Sequence, residues 1–110
     1  MIEVTDKTFE EEVLKASTEM PVFVDFYANW CGPCKAAAPT VEELAVKYEG
    51  KVKFCKLDVD TGSEFAVRFQ VQGIPNFIVF KGGETAAQFV GFRPGFEETI
   101  AEALDKLLAS

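Results

Sequence analysis

Residues 21–28 run PVFVDFYA, a nearly continuous apolar stretch of β-branched and aromatic side chains. This is the pattern of a strand covered on both faces, so it belongs at the centre of a sheet. A strand so placed restricts the chain to architectures with layers on either side of a sheet, and the remaining segments supply them.

Ile2 to Val4 is expected to form a short strand, and VKFCKLDV at 52–59 a second central one. TFEE at Thr8–Glu11 has capping-box spacing: the Thr8 hydroxyl accepts from the N3 amide while Glu11 reaches back, starting a helix that runs to about Ala16. A longer helix is expected from about Cys34 to Tyr48, because Val41, Leu44, Ala45 and Tyr48 share a face and Gly50 follows as terminator. Pro39 lies inside it and predicts a kink. SEFAVRF at 63–69 is a short helix. NFIVFK and ETAAQFVG, joined by Gly82 and Gly83, suit a tight hairpin that needs positive φ. The last helix, from about Phe96 to Leu108, carries an apolar stripe of Phe96, Ile100, Ala103, Leu104 and Leu107. Alternation of this kind, ending in a hairpin and a helix, implies an α/β fold: a mixed sheet with helices on both faces. With 110 residues, no repeat and no linker, one domain spanning 1–110 is expected.

Charge and composition remove several function classes. The net charge is −7 and the cations are scattered, which disfavours nucleic acid as a partner. The first residues are acidic where a secretory leader is basic, and no run approaches membrane-spanning length, so a cytoplasmic protein with no membrane partner is expected. An odd number of cysteines, three, agrees with a reducing compartment. There is no histidine, which excludes Ser-His-Asp and Cys-His nucleophiles and any imidazole-ligated zinc. The chemistry has to come from cysteine, carboxylate, lysine and backbone.

Cys31 and Cys34 stand where a strand has ended and a helix is starting. Three-residue spacing on a first helical turn brings two sulfurs within disulfide reach, and the loop so closed is too small to constrain the unfolded chain much. A redox role is therefore favoured over a structural one. Unpaired amides and the positive end of the helix stabilise a thiolate there, so Cys31 is poised to attack a partner's disulfide and Cys34 to resolve the mixed disulfide. Gly32 allows close approach of a target, and Pro33 is tolerated in the first turn while stiffening the loop. Trp30 offers a flat amphipathic contact surface, whereas without Cys31 beside it a lone tryptophan reads as core.

Asp25 is the anomaly in the apolar run. A carboxylate there is costly to ionise, so its pKa is expected to rise. Alone it reads equally as a paired structural aspartate; with Cys34 nearby, a general base for the resolving step is the better explanation. Lys56, on the neighbouring strand, reads either as its charge partner or as an exposed edge lysine. Cys55 points to the opposite face from Lys56 and reads as a buried, inert thiol.

These motifs together, WCGPCK at Trp30–Lys35, DFYA ahead of it, GIP at Gly73–Pro75, and FKGGE followed by VG at Val90–Gly91, resemble the thioredoxin family over essentially the whole chain. The resemblance implies a thioredoxin fold, with a four- or five-stranded mixed sheet flanked by about four helices. It also implies a protein-disulfide reductase that needs no bound cofactor. Its partners would be disulfide-containing proteins and a thioredoxin reductase, NADPH- or ferredoxin-linked, and the working unit a monomer. Pro75 would be cis and face the dithiol, Ile74 would offer backbone groups to an extended substrate segment, and Trp30, Ile74 and Val90 to Phe92 would form an apolar docking surface. Asp25 would be the buried base and Lys56 its neighbour. Three features depart from the family pattern: Asn76 where threonine is usual, Phe92 where a small residue is common, and the run Ala36 to Ala38 in place of bulkier side chains.

Rival readings are weaker. A zinc module wants four ligands, and beyond Cys31 and Cys34 only Cys55 remains. An iron–sulfur site with aspartate as fourth ligand has little support. A binding scaffold or chaperone subunit of the same fold would tolerate loss of either cysteine. An oxidase or isomerase is disfavoured by the Gly-Pro spacer. DVDTGS at 58–63 lacks calcium-loop spacing and reads as a solvated turn.

Overall fold

The structure, a computed structural model, describes residues 1–110. Five strands form one mixed sheet in the order β1-β3-β2-β4-β5. They are β1 (Ile2–Glu3), β2 (Val22–Tyr27), β3 (Lys53–Asp58), β4 (Asn76–Lys81) and β5 (Glu84–Val90). β1, β3 and β2 run parallel, while β4 is antiparallel to β2 and β5 to β4. The apolar run at β2 is the middle strand, as its pattern requires.

Strand periodicity divides the core into two layers. Val22, Val24 and Phe26 face one side, with Cys55 and Leu57 of β3, under an N-terminal helical segment and α2 (Ser63–Arg68). Phenylalanines fill this layer: the Phe9 ring stacks on Phe65 at 4.4 Å and meets Phe80 edge-on at 5.7 Å. Phe23 faces the other side, toward α1 (Gly32–Lys47) and α3 (Phe96–Ala109), with Ala37, Val41 and Leu44 from the first helix and Ile100 and Leu104 from the second. Asp25, two residues after Phe23, therefore points to the α1 side.

The structure moves several element ends. The N-terminal helical segment winds as a π-helix over Glu10–Lys15 and closes in a 3-10 turn at Ala16–Thr18. It is entered at Thr5 rather than Thr8: the Thr8 hydroxyl accepts from the Thr5 N–H at 2.9 Å, and the Phe9 N–H donates to the Thr5 carbonyl. Thr8 thus takes the reach-back role assigned to Glu11, which pairs with Lys15 at the surface instead. α1 begins at Gly32, two residues before the expected start, and continues through Pro39, whose missing N–H removes one intrahelical bond. On α3 the half-buried flank of the stripe packs through Ala101 and Leu107, not Ala103.

The β4–β5 hairpin turns on Gly82 and Gly83, with φ of +64° and +81°, as the sequence predicts. Buried Ser17 ties this turn to the N-terminal segment: its hydroxyl donates to the Leu14 carbonyl and accepts from the Gly83 N–H at 2.8 Å. Ser17→Ala leaves that amide unpaired, and an expected loss of about 1–3 kcal/mol should appear as a lower urea midpoint with unchanged slope.

Candidate active site

The site begins where β2 ends. The chain turns at Ala28, whose carbonyl accepts from the Cys31 N–H at 3.2 Å, and Cys31 becomes the N-cap of α1 in an extended conformation. Its sulfur accepts from the Cys34 N–H at 3.2 Å, one of the amides left free at the start of the helix. Pro33 occupies the first turn, where its missing donor costs nothing. Cys31 and Cys34 are joined as a disulfide with their Cα atoms 5.3 Å apart.

Both cysteines are sheltered, 3% and 6% exposed, in a small apolar cluster with Ala28, Tyr27, Val59 and Ile74. Gly32 is exposed, and a Cβ placed on it would meet nothing within 4 Å. Trp30 is 70% exposed, which removes its reading as core. Its indole N–H donates to Asp60 at 2.9 Å, and the Asp60 N–H in turn donates to the Asp58 carboxylate. The segment read as a solvated turn therefore positions the tryptophan.

A second loop closes on the disulfide from β4. The Ile74–Pro75 peptide is cis, and the Ile74 carbonyl oxygen lies 3.9 Å from Cys31 Sγ. The Pro75 carbonyl accepts from the Gly91 N–H at 2.8 Å, where Gly91 has φ of +86°. Gly73 packs so near Val90 that a Cβ would stand 3.3 Å from its side chain. Buried Asn76 braces this loop, donating to the Gly73 carbonyl and accepting from Gln88 at 3.1 Å. Val90 and Phe92 remain about half exposed, the latter ring edge-on to Phe96 at 5.1 Å. The departure at Asn76 is thus built into the loop's support, while that at Phe92 packs on α3.

Beneath the disulfide is a cleft of about 170 Å³ that Asp25, Cys34, Lys35, Ala38 and Lys56 help to line. The small Ala38 side chain leaves the approach to Asp25 open. Asp25 Oδ1 is buried with no hydrogen-bond partner. Burial raises its carboxyl from 3.8 to about 7; Lys56 opposes the shift and Glu3 adds to it. Lys56 faces Asp25 in strand register, but its ammonium pairs with Glu3 at 3.9 Å, so as a neighbour it acts without an ion pair to Asp25. Cys55 is fully buried on the opposite layer, and burial pushes its thiol up to about 11.

Sequence reasoning missed Asp60, Gln88, Tyr27 and Glu3. The first was within reach, because a parallel pairing of β2 with β3 sets the turn after one beside the turn after the other. The other three depend on side-chain directions across strands far apart in the chain.

Comparison with known proteins agrees with this geometry. The thioredoxin family model matches residues 1–106. The chain is 47% identical to a thioredoxin of Staphylococcus haemolyticus (strain JCSC1435) over 108 residues, covering 98% of each. It is 46% identical to a thioredoxin of Staphylococcus aureus (strain Mu50) over the same length, again with 98% of each covered. A helix-capping disulfide next to the GIP loop, on a sheet of this order, with a family match along nearly the whole length, shows that the chain belongs to the thioredoxin family and is a thiol–disulfide oxidoreductase that reduces protein disulfides.

Proposed function

We propose that Cys31 is the attacking thiolate, Cys34 the resolving thiol and Asp25 the group that takes the Cys34 proton. In the reduced protein, Cys31 attacks one sulfur of a target disulfide, and the other sulfur leaves as a thiolate that takes up a proton. Asp25 then accepts the Cys34 proton, the new thiolate attacks Cys31 Sγ, and the target leaves with its second thiol. Two electrons have moved to the target, and Cys31 and Cys34 are joined. The observation that carries this reading is the unpartnered Asp25 oxygen in the cleft it shares with Cys34.

Targets dock on the surface formed by Trp30, Gly73, Ile74, Pro75, Val90, Gly91 and Phe92, with Ile74 offering backbone groups to an extended segment. Gly32 keeps the approach open, Pro33 stiffens the dithiol loop and Lys56 tunes Asp25. The partners are disulfide-containing proteins and a reductase, NADPH- or ferredoxin-linked, that returns the electrons. The 110 residues work as one monomeric domain in the cytoplasm; no helix is long and apolar enough to cross a membrane.

Asp25→Asn tests the assignment. At pH 7 an unassisted thiol is only a few per cent ionised, so resolution of a preformed mixed disulfide should slow about tenfold in stopped-flow assays. The wild-type rate should rise through about pH 7, where Asp25 loses its proton, and the variant should lack that step. An unchanged rate and profile remove Asp25 as the base.

A further inference from the structure

Three parallel strands set a row of charges across the sheet. Glu3 on β1 and Asp25 on β2 are both register partners of Lys56 on β3, so one ammonium stands between two carboxylates. The two differ in their surroundings: Glu3 is about half exposed, whereas Asp25 is buried. Lys56 sides with the outer one, at 3.9 Å from Glu3 Oε1, and leaves Asp25 Oδ1 without a partner. Tyr27 fixes the arrangement. Its hydroxyl donates to the Glu3 carboxylate at 2.8 Å to one oxygen and 3.0 Å to the other, and its ring lies 5.7 Å from the Lys56 ammonium.

We propose that Glu3 is a positioning residue for the buried base: pinned by Tyr27, it engages the Lys56 ammonium and keeps it from forming an ion pair with Asp25. The proposal rests on the assignment of Asp25 as the proton acceptor and names what keeps that acceptor suited to neutral pH. An opposite charge within 4–6 Å of a carboxylate favours its ionised form, so an ammonium turned inward would make Asp25 a weaker base. Engaged by Glu3, it leaves burial as the dominant influence. The groups facing Asp25 are few. β3 presents Lys56 and, one turn of the pleat further, Asp58; β1 presents Glu3; β2 itself adds Tyr27; α1 brings Lys35 and Cys34 to the cleft; and the β4 partner is the apolar Phe77. Of these, Lys56 alone is both cationic and in register with Asp25, and Glu3 is the carboxylate that engages it.

Glu3→Gln isolates the charge, because the amide oxygen still accepts from Tyr27. The Asp25 carboxyl carbon is followed by ¹³C NMR titration in the wild type, Glu3→Gln, Lys56→Gln and the double variant. Glu3→Gln should lower the Asp25 midpoint by about one pH unit, the low end of what a nearby cation produces. Lys56→Gln should raise it, and in that background Glu3→Gln should give less than half the shift. No shift in Glu3→Gln overturns the proposal, as does an equal shift with and without Lys56, which means Glu3 acts through its own field. The pH profile of mixed-disulfide resolution is measured on the same proteins. If the NMR midpoint moves and the rate profile does not follow, Asp25 is not the base, while the positioning by Glu3 stands.

Discussion

Cys34→Ser is expected to stop the reaction halfway, converting the protein into a stoichiometric trap for its targets. Serine is nearly isosteric with cysteine, and the position is sheltered in a small cluster, so the fold and the docking surface should persist. A hydroxyl is far too weakly acidic to supply a nucleophile at neutral pH, so the bond between Cys31 and the target cannot be resolved from within. Incubated with a disulfide-bearing protein, the reduced variant should accumulate one covalent adduct per chain, visible by intact mass under non-reducing conditions. Turnover should fall to the uncatalysed level. Cys31→Ser should abolish turnover without any adduct, because the attacking group itself is gone. The asymmetry between the two variants is the test. Full disulfide reduction by either variant would remove the assigned mechanism.

The second large effect concerns stability. Asp25 has its carboxyl raised by burial from 3.8 to about 7 in the folded protein. The folded state therefore holds a proton that the unfolded chain has already lost between those values, and stability falls as pH rises through that window. Below about pH 4 both states are protonated and the full stability is present; above about pH 7 both are ionised and the whole penalty is in force. At 1.36 kcal/mol per pH unit the ionised form costs about 4 kcal/mol, an order-of-magnitude figure. Asp25→Asn removes the titration. Relative to wild type it should gain stability progressively from pH 4 to pH 7, by up to about 4 kcal/mol, read from denaturant midpoints at matched pH. A difference that stays constant between pH 5 and pH 8 excludes burial of the carboxylate as its origin. Together with the slowed resolution expected of the same variant, this is a group that destabilises the fold at the pH where it is chemically useful.

Much of the architecture was legible because it depends on periodicity and on residues close in the chain. The run at 21–28 announced a strand covered on both faces, and it is the middle of the sheet. Gly82 and Gly83 marked a turn that needs positive φ, and both have it. The spacing of Phe96, Ile100 and Leu104 defined the buried face of the last helix. The redox pair was equally plain, since its geometry needs only a helix start and three-residue spacing. The N-terminal helix fell where expected, but its capping turn did not, because Thr5 and Thr8 can each open it. Only the turn as folded selects Thr5, with the Thr8 hydroxyl accepting from the Thr5 N–H.

Asp25 stood out as a misplaced charge, but its relation to Lys56 did not follow from the strand pattern. A period of two decides which face a side chain takes within its own strand, and the register of β2 with β3 is what sets Asp25 beside Lys56. Which neighbour a flexible ammonium then chooses depends on what stands on its far side, and here that is Glu3, brought alongside by the pairing of β1 with β3. Trp30 reads as contact surface from Cys31 beside it, but the Asp60 carboxylate that accepts from its indole N–H arrives only at the end of the adjacent strand. Local spacing set the elements, their buried faces and the disulfide. The charge row beside Asp25 and the bracing of the docking loops came from strand order and register, because these groups lie tens of residues apart in the chain and meet only when the sheet assembles.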